Sequence, residues 1–154
     1  TISLAAHAGA SMIHECAGMH GSLMGTSFES YVLDNDLLGA ILRTVKGVEV
    51  SEDTLNFDVI RDVVLGEGHY LGHPQTFARM KTDYLYPDIA DRRSIDVWQE
   101  AGAPDARHTA REKVREILTA HYPTHVPEAA DAWIRSAYNI ILTSERIRPG
   151  NGVW

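Results

Sequence analysis

His14 and Glu15 are neighbours, and an imidazole beside a carboxylate can move a proton or hold a cation. They come after the short apolar run Ser11-Met12-Ile13 and precede glycines at 18, 21 and 25. Such a run fits a buried strand of a parallel sheet or a continued helix, and periodicity does not separate the two. The bland alternatives are a buried histidine bonded to backbone and a solvated loop glutamate. His69 and His73 lie four apart, a spacing that on a helix lets two imidazoles share a metal. Gly72 between them and Pro74 after them argue that no helix begins before residue 74. No cysteine or third ligand is near, so an elbow between helices is the better reading than a zinc site or a metal-dependent hydrolase. Asp34-Asn35-Asp36 lacks the glycine and distal glutamate of a calcium loop, and is expected to interrupt its helix or face outward from it. Cys16 has no base at a readable spacing and reads as an inert buried thiol. Tyr70, Tyr84, Tyr86 and Trp98 offer faces for a cationic ammonium, worth ~0.5–2 kcal/mol per ring, but aromatics at helical spacing read first as core.

The elements that must position these residues are mostly helical. An Ala-rich stretch from Thr1 to about Ala10 reads as the last turns of a helix. Ser27 is a suitable N-cap for a helix reaching Lys46 and ending at Gly47, with Tyr31, Leu38, Ile41, Leu42 and Val45 on its apolar side. Ser51 caps a second helix carrying Leu55, Val59, Ile60 and Val63 before Gly66. Pro74 opens a helix with Phe77, Met80 and Tyr84 that Pro87 closes, and Ser94 begins a short one around Trp98 that stops at Gly102. Asp105 caps a helix with Ala106, Ala110, Val114, Ile117 and Leu118 on one side and charge on the other. Pro127 opens a last helix with Trp133, Ile134 and Ile141 on one face, and residues 148–152 form a tail.

Length and charge narrow the function. The 154 residues carry 14 Lys plus Arg against 21 Asp plus Glu, a formal charge of −7. No basic cluster stands out, which argues against nucleic acid and against an anionic membrane surface. A single cysteine excludes an internal disulfide framework and suits the cytoplasm, and no apolar run approaches the ~20 residues needed to span a bilayer. The small and apolar residues at the start, from Ile2 to Ala8, normally need neighbours to bury them, so the chain is expected to be the end of a longer polypeptide.

One stretch is more specific than any single candidate. It reads Gly66-Glu67-Gly68-His69-Tyr70-Leu71-Gly72-His73-Pro74-Gln75-Thr76, then Lys81-Thr82-Asp83-Tyr84-Leu85-Tyr86-Pro87, Asp91-Arg92-Arg93, Trp98-Gln99-Glu100-Ala101-Gly102 and the helical run 110–118. Together with 9–13 and 33–35 it resembles the C-terminal signature of the trimethylamine methyltransferase family, the corrinoid-dependent enzymes that demethylate trimethylamine and quaternary amines. The resemblance covers roughly residues 9 to 121. It implies a mainly α fold with a little β: the C-terminal part of a (β/α)8 TIM-type barrel over 1–122, then a C-terminal helix and tail over 123–154. Residues 11–14 would then be a barrel strand, placing His14 at its C-terminal end, where active-site side chains gather, with Glu15 to orient it or hold the ammonium. The elbow at 69–73 would pack helices onto the barrel rim.

The implied activity moves a methyl group from trimethylamine, or from a quaternary amine such as glycine betaine, to a separate corrinoid-binding protein. No cofactor would be bound directly. A pyrrolysine, where a family member has one, would fall before Thr1, and the piece alone would be inactive. The competing expectation is a non-catalytic helical docking or oligomerisation module, using the face of Trp133, Ile134 and Ile141, with a homo-oligomer as its outcome.

Overall fold

The computed structural model describes residues 1–122 and 124–152. The chain is mainly helical: α1 (Ile2–His7), α2 (Phe28–Lys46), α3 (Glu52–Leu55), α4 (Phe57–Leu65), α5 (Pro74–Arg79), α6 (Ile95–Glu100), α7 (Ala106–Ala120), α8 (Glu128–Ala137) and α9 (Ser144–Ile147) succeed one another. Two helices are shorter than expected, α5 stopping before Met80 and Tyr84 and α8 before Ile141. The little β present is an antiparallel pair, β1 (Met19–His20) and β2 (Gly25–Thr26), with Met19 opposite Thr26.

The local chemistry explains most boundaries. Ser27 accepts from the Ser30 amide at 3.2 Å to start α2, and Gly47 ends it at φ +71°. Ser51 and Thr54 form a reciprocal capping box on α3. Asp105 accepts from the His108 amide at 2.6 Å to start α7. One helix expected between Ser51 and Gly66 is two, because Asn56 turns left-handed at φ +54° between α3 and α4. Asparagine tolerates that region, and its side chain is held by Gln75 of α5.

The centre is the pair α2 and α7, with α1 also laid against α2. Ala110 of α7 is fully buried, and Ser30 of α2 nearly so. Glu29 and Arg111 clamp the pair at 2.9 Å. Asp36 accepts from the backbone amides of Asp88 at 2.8 Å and Ala90 at 3.1 Å, drawing Ile89 into the core between them. The Asp34-Asn35-Asp36 segment therefore neither interrupts α2 nor points idly outward. Both its carboxylates are tertiary tethers.

The α3–α5 segment is attached differently. Arg43 of α2 donates to the Asp83 carbonyl at 3.0 Å, Arg79 pairs with Asp83 at 3.2 Å and with Asp53, and Gln75 donates to Asn56. Only Val63 in this segment is buried. The Arg79–Asp53 and Gln75–Asn56 bonds knit the segment together internally, and Arg43 ties the loop after α5 to α2.

The strand expected over 11–14 is not formed. Residues 11–13 are irregular and His14 and Glu15 sit on a turn, with Met12 80% exposed. A parallel strand needs a neighbour on each side to satisfy its amides and carbonyls. The only strand pairing among the described residues is the hairpin just beyond that turn. The expected boundary between 122 and 123 abuts Pro123, which lies outside the described residues, as do Val153 and Trp154 at the end of the expected tail.

Candidate functional site

Glu15 takes a left-handed conformation at φ +54°, which brings its carboxylate Oε1 to 3.6 Å from His14 Nδ1. The histidine side chain is 76% exposed and the glutamate 40%. A pair so open can bind a cation or hand a proton to water, and in this chain nothing buries it. The two candidates are thus brought together, but on a turn rather than at a strand end.

The hairpin after the turn is well fixed. Gly18 is buried at φ +75°, and its missing side chain leaves room for the ring of Tyr31; a Cβ there would overlap the ring. Its amide donates to Asp34 at 2.8 Å, and its carbonyl accepts from the Thr26 hydroxyl at 2.6 Å. His20 bonds Ser30, tying β1 to the first turn of α2. The glycines at 18, 21 and 25 therefore belong to a hairpin docked on α2, and only Gly18 makes a close approach.

Beside this hairpin lies an open cleft of about 400 Å³ between α2 and α7, reached from Ala17 and walled by Tyr31, Val32, Leu38, Ile89 and Ile117. Asp36, Asp88 and Lys113 also line it. The Asp36 carboxylate is already engaged with two amides, and Lys113 pairs with Glu116 at 2.9 Å, which with Asp88 nearby raises the lysine pKa. Sequence reasoning missed this cleft, because Ala17, Tyr31, Asp88 and Lys113 come from segments with no shared pattern.

The other candidates are dispersed. His69 stands 3.9 Å from Glu67 on the exposed surface, whereas His73 Nδ1 accepts from the Gln75 amide at 3.2 Å and so caps α5. The elbow reading fits that cap, and residue 74 does open the helix. Among the described residues no three His, Cys, Asp or Glu side chains come close enough to hold a metal ion. Cys16 is half-buried and free. Tyr70, Tyr84 and Tyr86 are 45%, 69% and 62% exposed, so the core reading of these rings is corrected; Tyr86 instead donates to the Met80 carbonyl at 2.7 Å. Trp98 is half-buried and donates to the Pro104 carbonyl at 3.0 Å. The expected face of the last helix is not formed as one, since α8 ends at Ala137 and Ile141 lies beyond it; Trp133 and Ile141 are exposed and Ile134 is half-buried. No helix among the described residues is long and apolar enough to cross a membrane.

Comparison with known proteins gives the class. The family model for trimethylamine methyltransferase matches residues 1–140, so the chain belongs to the trimethylamine methyltransferase family. It is 36% identical over 127 residues to the trimethylamine methyltransferase MttB of Methanosarcina barkeri, covering 82% of this chain and 25% of that protein. It is 38% identical over 122 residues to MttB2 of Methanosarcina mazei, covering 79% of this chain and 24% of the relative. A glycine betaine methyltransferase of Desulfitobacterium hafniense is 27% identical over 136 residues, covering 88% of this chain and 28% of that protein. The chain thus spans about a quarter of the length of these curated relatives.

Proposed function

We propose that this chain serves as one part, the C-terminal portion, of a methyltransferase that moves a methyl group from trimethylamine or a glycine betaine-like quaternary amine to a corrinoid-binding partner protein. The observation that carries this reading is the family match over residues 1–140, with both kinds of methyltransferase among the relatives. The family resemblance supplies the rest: a TIM-type barrel as the parent fold, a cytoplasmic setting, and a cobalt centre carried by the partner as methyl acceptor. Among the described residues no three His, Cys, Asp or Glu side chains gather to hold a metal ion.

The contribution of the chain's own residues is narrower. In this reading the Glu15 carboxylate faces the cationic nitrogen, and His14, within 3.6 Å of it, orients that carboxylate or supplies a proton to the departing amine. The transfer needs the methyl carbon in line between nitrogen and acceptor, so positioning is the larger task. Burial of the pair by the rest of the enzyme would strengthen both interactions, because charge acts more strongly away from water.

The test offers trimethylamine and glycine betaine in turn to the polypeptide that carries this sequence, with a reduced corrinoid protein as acceptor. Methylation of the cobalt that depends on one amine, and that falls when Glu15→Gln or His14→Ala is introduced, supports the reading. No methylation with either amine, together with concentration-dependent self-assembly, favours the helical docking module instead.

A further inference from the structure

The helix α4 carries more apolar surface than this chain covers. Around its axis Val59 and Val63 lie side by side and turn inward, with Val63 only 5% exposed. Next to them Phe57, Ile60 and Val64 fall within about 60° of one another, as positions three and four apart must. These three are 74%, 44% and 64% exposed. The remaining side carries exposed Leu65 among polar residues, with Arg61 paired to Asp58 at 2.9 Å and to Asp62 at 3.1 Å. The helix is therefore apolar over nearly half its circumference, and part of that arc faces water.

The whole molecule repeats the pattern. Its accessible surface is 12282 Å². A self-contained folded chain of 17.1 kDa exposes about 7,800 Å² by the usual scaling, an excess of about 4,500 Å². A typical second copy does not absorb it: large obligate dimers bury roughly 2,000–5,000 Å² in total, or about 1,000–2,500 Å² per copy. The excess is nearly twice what such an interface takes from one copy, so a larger occupant fits better, and the relatives are about four times the length of the matched segment.

We propose that the Phe57–Ile60–Val64 stripe of α4 is a docking seam, and that its occupant is the remaining three quarters of a trimethylamine methyltransferase-type polypeptide. This rests on the family reading above and names the surface it uses. The neutralised pairs of Arg61 form the polar rim of the seam. Apolar cover for the exposed part of the stripe is then supplied by the partner body.

The experiment uses the full polypeptide that carries this sequence, beside the 154-residue chain alone. Side-chain footprinting reads Phe57, Ile60 and Val64 in each, and light scattering gives the oligomeric state. Protection of the stripe in a monomeric full polypeptide, with the stripe labelled in the chain alone, supports the seam. So does a lower urea midpoint of the full polypeptide for Ile60→Asp with Val64→Asp when the free chain keeps its helicity. A full polypeptide that leaves the stripe labelled overturns it, and so does protection that appears only through self-association. Amine-dependent methyl transfer is assayed separately: transfer with an unprotected stripe sinks the seam and keeps the function, whereas a protected stripe without transfer does the reverse.

Discussion

At the scale of single residues, Gly18 is the most constrained position. Its left-handed backbone and the ring of Tyr31 both exclude a side chain. Gly18→Ala is expected to cost about 1–3 kcal/mol, seen as a lower urea midpoint. Adding Tyr31→Ala should recover the share due to the overlap and leave the share due to the backbone. Glu29 gives a prediction of a different kind. Its own backbone amide, then the Arg111 guanidinium, hold its carboxyl below the usual glutamate range. A folded-state pKa that is lowered means the folded form resists protonation. The stabilisation is therefore complete above the ordinary glutamate value and is lost as pH falls through the folded one. Urea titrations across that window should show stability dropping on acidification, with a smaller drop in Glu29→Gln. An equal drop in both would remove Glu29 from the account.

At the scale of elements, the α2–α7 pair holds the chain together, and Ala110 sits at its tightest point with no exposure. Ala110→Leu is expected to overpack the pair and destabilise it by about 1–3 kcal/mol, read from thermal or urea denaturation. An unchanged midpoint would mean that the helices separate more freely than their burial suggests. This is also the scale at which the sequence is most readable. Ser27, Gly47, Pro74 and Asp105 announce their boundaries because capping and proline geometry are local. The failures share a cause that is not local. Asn56 divides a helix because it answers to Gln75, nineteen positions away. Asp34 and Asp36 reach partners 16 and 52 or more positions distant, so a short acidic motif reads in isolation as an idle surface. The expected strand at 11–14 depends on neighbouring strands, and the described residues supply none beside it. The His14–Glu15 pair is legible as chemistry, but the open turn that presents it is not.

At the scale of the whole molecule, surface decides behaviour. Three apolar side chains are buried among the described residues, Val63, Ile89 and Ala110, while many large ones face water. Alone in solution, the chain is expected to bind an apolar dye strongly and to unfold over a broad denaturant range. Both signs should fade in the full polypeptide. Weak dye binding and a sharp transition for the isolated chain would show that it closes its own core. The acidic balance of −7 keeps such a surface from indiscriminate association at neutral pH.

The ion pairs that Arg79 makes with Asp53 inside the α3–α5 segment and with Asp83 just beyond it make ionic strength a handle on one part of the molecule. The Asp53 and Asp83 side chains that meet Arg79 are 76% and 43% exposed, so dissolved ions reach them. Raising salt to about 1 M shortens the range of charge interactions to about 3 Å. The amides of α4 would then exchange their hydrogens faster, while those at the α2–α7 contact, secured mainly by packing, would keep their pace. One chain would thus carry two clocks, and only one of them would run by the salt.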